Sequence, residues 1–484
     1  MSMRDDNATI KSRSIISILS LFFQSGYSAI LGLLANLFLT ILLSPAIFGV
    51  YITVLSLISL LNYFSDIGLA ASLIQRKEID DDDIKTAFTI QQCLVISAVS
   101  VGLIMTNFIV NFYNLPRQGV YLYWALLTGF FLSSLKTIPS VFLERKIQYQ
   151  KIVLVQIMEN TVFYLSVIGL AFAGYGLMSF AYAVLLRATV GLIAIYKISY
   201  WMPRIGVSRK SIKHLLSFGI PFQSISFLAI FKDDLIYLFL GKVLGFEALG
   251  YIGWAKKWGE STLRIIMDNL SKVLFPLLSR YQSDKQKIRV IVEKMLYYQT
   301  LLLAPSSMGL ALIMNYLIIF IPKYGKWLPA LPFFYIFCLS AFLSSYSTPF
   351  ISMFNALAKV RTSLKFMTFW TVSTWLFTVS LTKFYGNFGF PMTSLLLSST
   401  FIFVVFAAKK VVNFSFLPTI TPAIISSIIM VFVFRMMLFI MPVNVINLGL
   451  LVILSGMSYY LSLRIIFRIN LLTEVRNILF YGKN

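Results

Sequence analysis

Cysteine and histidine are nearly missing from this chain: Cys93, Cys338 and His214 are the only three in 484 residues. Both cysteines lie within apolar stretches, so neither a disulfide framework nor a thiolate metal site is expected. One histidine, set in a basic loop, cannot form a His cluster, and solvating that loop is its expected role. No metal site and no cofactor are anticipated. No Walker-type phosphate loop occurs, which argues against direct use of ATP. No convergent acid–base set marks a catalytic centre, so an enzyme is not expected. Charge is sparse as well: Asp, Glu, Lys and Arg make up 12% of the residues, against about 25% in soluble domains.

The chain is instead apolar. Hydrophobic residues reach 58% and mean hydropathy is +0.84, and stretches of the roughly 20 residues needed to cross a bilayer recur from end to end. The fold class that follows is an all-α polytopic membrane protein with no sizeable soluble domain. Fourteen apolar segments are predicted, at 14–42, 47–72, 86–111, 119–141, 152–173, 177–198, 215–243, 248–278, 290–321, 330–354, 364–384, 389–408, 419–441 and 446–464. Several exceed what a thin bilayer requires, so tilt or extension beyond the membrane is expected. The polar start, MSMRDDNATIKSRS, precedes an apolar run too long for a signal-peptide core and reads as a retained cytoplasmic tail, residues 1–13.

The formal net charge of +23 would suit nucleic acid, but its placement argues otherwise. Basic residues collect in short loops between apolar segments. Taking alternate loops, one set (the N-terminal tail, 73–85, 142–151, 197–214, 279–294, 355–365, 409–418 and the C-terminal tail) holds 28 Lys and Arg, counting Arg464 at the edge of the last span. The opposite set of short turns holds five: Arg117, Lys242, Lys323, Lys326 and Lys383. The positive-inside rule then puts both termini in the cytoplasm. The outward turns are all short, which leaves little chain to build an enzyme site on that face.

An ordered repeat runs through the chain. The first span closes on LLSPAIFGVY, Leu42 to Tyr51, and the seventh closes on VLGFEALGYI, Val243 to Ile252. Each leads into a long span that ends in a polar loop, IQRKEIDDDDIK in one half and LSRYQSDKQKIR in the other. The expected organisation is a tail (1–13), an N-lobe of six spans (14–198), a basic linker (199–214), a C-lobe of six spans (215–408), two further spans (409–464) and a tail (465–484). An even number of spans separates the repeats, so they are parallel and related by an axis along the membrane normal. That symmetry suits rocking between states, with substrate held between the halves.

Three stretches carry a family resemblance. SDIGLAASLIQRKEI (Ser65 to Ile79), SKVLFPLLSRYQSD (Ser271 to Asp284) and LGKVLGFEALGYI (Leu240 to Ile252) resemble polysaccharide transporters of the MOP flippase superfamily, which includes Wzx-type O-antigen flippases, and colanic-acid-exporter-type members above all. The resemblance implies a flippase for lipid-linked oligosaccharide in a bacterial cytoplasmic membrane, with a central cavity between two six-helix lobes. It also implies an undecaprenyl-diphosphate type of passenger and contact with membrane lipids and with polysaccharide polymerase machinery, while the placement of charge already argues against a nucleic-acid partner. One departure is visible: many relatives carry an Asn or Asp near the outer part of the seventh span, where this chain packs Lys232, Asp233 and Asp234 together.

Ionised residues inside spans are costly and usually face a bundle interior or a wet cavity. Lys256, Glu260, Arg264, Asp268 and Lys272 recur every four residues in the eighth span, alternating in sign. At 100° per residue they form a slanted stripe about 24 Å long. One reading is internal neutralisation, each acid lying between two bases. The other gives the surplus cations an anionic passenger, because a guanidinium such as Arg264 makes bidentate bonds to phosphate. Lys256 and Lys272 extend that stripe, and Lys272 lies nearer its cytoplasmic end. In the first half, Arg187 and Lys136 are isolated cations that either line the same chamber or snorkel, with Glu159 a partner for one of them. Arg435 either neutralises a lipid phosphate or snorkels. Asp233 and Asp234 are the candidates for binding Na⁺ or a proton, against a structural ion-pair cluster with Lys232. The Asp80–Asp83 run reads as a solvated loop rather than a metal site.

Three functions compete: a lipid-linked oligosaccharide flippase serving O-antigen, capsule or exopolysaccharide synthesis, a cation-coupled multidrug antiporter, and a polysaccharide polymerase. Lipophilic cations call for acidic walls, whereas Lys and Arg prevail within the spans. The short outward turns oppose the polymerase. The flippase is the leading expectation.

Overall fold

The computed structural model describes residues 3–470 apart from Asp66, Lys77 and Val443, so most of the expected C-terminal tail lies outside the described residues. Among those residues the chain is helical throughout, with no strand, and it divides into two compact units between Gly253 and Trp254. The first unit holds α1 (Met3–Leu42), α2 (Pro45–Ser65), α3 (Leu69–Gln75), α4 (Asp81–Ile104), α5 (Thr106–Tyr113), α6 (Arg117–Ser134), α7 (Thr137–Arg145), α8 (Tyr149–Phe172), α9 (Met178–Ile198), α10 (Arg209–Asp233) and α11 (Leu235–Leu244). The boundary falls inside α12 (Phe246–Gly259). The second unit continues with α13 (Ser261–Arg280), α14 (Lys285–Phe320), α15 (Leu331–Ser345), α16 (Thr348–Ala356), α17 (Val360–Tyr385), α18 (Gly389–Ser398), α19 (Phe401–Lys409), α20 (Leu417–Ile440) and α21 (Val445–Ile465).

Every one of the fourteen apolar segments lies on one helix or on a pair broken by one to three residues. Ten helices are long and apolar enough to cross a membrane, or eleven if the bent pair α6–α7 is one span. With that many apolar spans, this is a multi-pass membrane protein. Large apolar side chains such as Phe172, Phe403 and Phe439 point outward, as a lipid-facing surface requires and a soluble monomer avoids.

The breaks have local causes. Gly68, between α2 and α3, has φ 75, a left-handed conformation costly for any side chain. Pro349 stands in the first turn of α16 and Pro391 in that of α18, where the missing N–H is harmless. Pro276 and Pro305 instead remain inside α13 and α14. The four-aspartate run is not the solvated loop expected from the sequence: it opens α4, and Asp83 is buried. Asp80 and Asp83 form a capping box, Asp83 also pairs with Arg76, and Asp81 pairs with Lys85, so α4 starts on acids that favour its dipole. Asp284 caps α14, its side chain accepting from the Gln286 and Lys287 N–H groups, and the Lys287 N–H leads in holding its carboxyl below the usual range.

Each unit packs around its own core. In the first, Leu39, Val54, Val95, Leu122, Val167 and Phe180 are buried together. In the second, Met267, Leu278, Val292, Phe350, Phe354 and Val404 are. The same polar clasp occurs in both. Gln91 of α4 donates to Thr137 at the α6–α7 break (2.8 Å), and Gln299 of α14 donates to Ser345 at the α15–α16 break (3.1 Å). At membrane depth a broken helix needs such partners for its exposed polar groups.

Two glycine positions bring backbones together inside the first unit. A Cβ on Gly49 of α2 would lie 1.7 Å from the Phe246 carbonyl oxygen, and one on Gly250 of α12 would lie 1.9 Å from that of Pro45. The contact is reciprocal: the Pro45-to-Gly49 and Phe246-to-Gly250 spacings are the same, and they fall in the two repeated motifs. Farther along, Gly68 and Gly219 meet with a Cβ allowance of only 2.4–2.5 Å to the facing carbonyl. Small residues let helix backbones approach in this way.

Candidate functional site: cations within the spans

The eighth predicted span is not one straight helix. It breaks at Glu260 between α12 and α13, where Gly259 is packed against Phe337 and Cys338 of α15. The i→i−4 ladder nevertheless runs through the break, Glu260 N–H bonding Lys256 O and Arg264 N–H bonding Glu260 O. Lys256, Glu260 and Arg264 therefore stay on one face. Glu260 accepts a hydrogen bond from an Arg264 nitrogen at 2.9 Å and forms an ion pair with the Lys256 Nζ at 3.7 Å.

This trio shows the internal pairing of the first reading. Its acid is shared, as neutralisation expects, yet two bases against one acid leave a net positive charge. Lys256 and Glu260 are tucked in at 17% and 20% side-chain exposure, whereas Arg264 stands 67% exposed. A guanidinium has five N–H donors in a planar fork, the geometry that suits a bidentate anion. The Lys256 ammonium also lies 5.6 Å from the Phe390 ring centroid. The rest of the stripe, the side chains of Asp268 and Lys272, lies outside the described residues.

In the first unit the two isolated cations differ. The Lys136 ammonium is paired with the Glu159 carboxylate, and both are largely buried, so Glu159 partners Lys136 and not Arg187. Gly191 of α9 makes the room: a Cβ there would meet the Glu159 carboxylate oxygen at 1.6 Å. Arg187, one turn before Gly191, is exposed. Its guanidinium lies 5.6 Å from the Phe163 ring centroid, a cation–π contact that leaves its donors open. No carboxylate lies within ion-pair distance of it among the described residues.

The acidic cluster also sits at a helix break. Asp233 ends α10 and Asp234 precedes α11. Lys232 and Asp233 pair at 3.3 Å, with Asp233 exposed. Asp234 has a partner of its own. Discontinuous helices of this kind often carry ion and substrate sites in transporters. Arg435 of α20 is exposed and close enough to Tyr335 to act on it electrostatically.

Sequence reasoning did not reach the reciprocal glycine contact or the Gly191 pocket for Glu159. The signal for the first was present, because both motifs were recognised as a repeat, but a repeat does not announce that its copies touch. The second had no local signal, since 32 residues separate Glu159 from Gly191.

Comparison with known proteins adds the family context. The family profile described as "Polysaccharide biosynthesis protein" matches residues 38–332, more than half of the chain. The chain is 25% identical over 328 residues to the lipopolysaccharide biosynthesis protein WzxC of Escherichia coli K12, which covers 67% of this chain and 66% of that protein, just short of two thirds. It is 20% identical over 272 residues to the succinoglycan biosynthesis transport protein ExoT of Rhizobium meliloti, covering 56% of this chain and 54% of that one. Among solved structures, the lipid II flippase MurJ in an inward closed conformation aligns with TM-score 0.76 at 15% identity, over 94% of this chain and 99% of that one. An inward-facing multidrug resistance MATE family transporter of the MOP superfamily aligns with TM-score 0.62 at 14% identity, over 79% and 95%. At such identities these structures speak for the fold alone.

Proposed function

Because the chain belongs to the polysaccharide biosynthesis protein family, we propose that it is a flippase that carries a polyprenyl-diphosphate-linked oligosaccharide across the bacterial cytoplasmic membrane. The product would serve O-antigen, capsule or exopolysaccharide synthesis. The observation that carries the reading is the Lys256–Glu260–Arg264 fork, two bases sharing one acid within an apolar span, with the Arg264 side chain 67% exposed. A buried or half-buried charge of this kind persists where a counter-charge meets it. The diphosphate of an undecaprenyl-type carrier supplies that charge, while the polyprenyl chain stays in the bilayer and the sugar needs only a wet path. The name of one relative, a succinoglycan biosynthesis transport protein, supports transport over catalysis.

In this proposal Arg264 and Arg187 make the direct anion contacts. Lys256 shapes the field around Arg264, Lys272 makes first contact at the cytoplasmic end, and Lys136 contributes through its pair with Glu159. Both termini lie in the cytoplasm, and the six-span repeats are the moving bodies of an alternating-access cycle. Asp233 and Asp234 couple Na⁺ or proton movement to it. Association with the polysaccharide polymerase machinery is part of the same proposal.

Arg264→Ala is expected to lower surface-glycan export by about tenfold or more, the worth of a lost charge-assisted pair, with normal membrane abundance. Arg264→Lys should retain part of the activity, since the charge survives and the bidentate geometry does not. Undiminished export by the alanine variant removes Arg264 from the mechanism. Asp233→Asn and Asp234→Asn should alter the dependence of export on Na⁺ or pH gradients. Identical dependence would make these residues structural.

A further inference from the structure

A second basic site lies away from these cations, where α7 turns into α8 and α9 ends. The chain reverses there through Ile147, which has φ 53. The turn is closed by the Ile147 N–H bonding Glu144 O and the Gln148 N–H bonding Leu143 O, both at 2.9 Å. The Ser17 hydroxyl of α1 donates to Ile147 O at 3.0 Å, so the turn is fixed from a third element. Beside it opens a cavity of about 460 Å³, whose polar wall includes Lys146, Gln148, Lys151, Ser199 and Tyr200.

We propose that this cavity binds the phosphate of an acidic phospholipid headgroup. Two lysines line it, and among the described residues neither Lys146 nor Lys151 has a carboxylate partner. No acidic side chain lines it. α8, 24 residues long, begins at Tyr149 without a side-chain cap, so the positive end of its dipole and uncapped N–H groups add to the same field. The remaining wall is apolar, formed by Phe142, Leu143 and Ile198. A free phosphate leaves such a wall unused, whereas a glycerol backbone and the first acyl carbons fit it. Tyr200, 80% exposed at the end of an apolar helix, is placed like an interfacial anchor. Basic pockets between helix ends at a membrane surface suit anionic headgroups. The site is independent of the flippase reading, because none of its residues belongs to the proposed transport cations.

The test is a thermal-stability titration of the full-length protein in neutral detergent with phosphatidylglycerol, phosphatidylcholine or inorganic phosphate. Phosphatidylglycerol should raise the melting temperature saturably, and the other two should not. Lys146→Gln/Lys151→Gln should weaken the apparent affinity for phosphatidylglycerol roughly thirtyfold, at about 1 kcal/mol per lysine near an anionic lipid. Lys146→Arg/Lys151→Arg should keep it, as should the surface control Lys409→Gln/Lys410→Gln. An equal shift with inorganic phosphate would make the site one for free phosphate and overturn the lipid assignment. An equal shift with phosphatidylcholine, or an unchanged affinity in the double glutamine variant, would overturn the site itself.

Discussion

Gly250→Ala and Gly49→Ala should each abolish most export, while Gly456→Ala should leave it intact. The first two would place a methyl carbon 1.9 and 1.7 Å from a backbone oxygen, whereas nothing stands within 4 Å of a Cβ on Gly456. A flexible side chain could swing aside, but a carbonyl fixed in a helix or its first turn cannot, so the two segments must separate. Overpacking of this kind costs about 1–3 kcal/mol even where some relaxation is available, and contact with main chain sits at the upper end. Because the contact is reciprocal, the double variant should lose little more than either single one: a separation forced at one glycine relieves the other. The check is surface glycan normalised to membrane abundance, with melting temperature alongside. Full export by both alanine variants would mean that the close approach of the two turns is dispensable.

Glu159→Leu is expected to cost about 3–5 kcal/mol of stability, because it strands the Lys136 ammonium without its partner. The pair is held deep, at 8% and 19% side-chain exposure, so water offers little compensation. Adding Lys136→Met to Glu159→Leu should recover most of the loss, since two apolar groups of similar length leave nothing unpaired. Gly191→Ala should reproduce a weaker form of the Glu159 defect by crowding the carboxylate out of its place. Thermal unfolding in detergent reads all three. If Glu159→Leu melts like the parent protein, the pair contributes no stability and Lys136 becomes available to a passenger.

How legible these features were depended on the range of the physics behind them. Helical spans follow from runs of apolar residues, a local property, and each apolar segment is a helix or a broken pair. The interruptions were only partly readable. Pro349 and Pro391 start new helices, but Pro276 and Pro305 sit inside α13 and α14 without ending them, because neighbouring groups can satisfy a freed carbonyl. Breaks at Glu260 and Asp234 gave no proline signal at all. The charge ladder was half legible. Spacing of four brought Lys256, Glu260 and Arg264 onto one face across a break, yet spacing could not say that Arg264 would remain mostly exposed while its neighbours turned inward. Packing from α15 against Gly259 and Phe390 near Lys256 decides that. The Lys136–Glu159 pair joins helices, and Gly191 is needed to seat it. Such contacts are set by tertiary structure, and one chain's sequence marks only the charges that will seek each other.

The central claim, that the passenger is an anionic lipid-linked glycan, is tested most directly by deleting the protein and analysing the lipid-linked pool by leaflet. Completed diphosphate-linked repeat units should build up on the cytoplasmic side, and the intact protein should clear them while the Arg264→Ala variant does not. If those units instead reach the outer leaflet at the normal rate in the deletion, the protein does not move them, and the cations in its spans serve some other purpose.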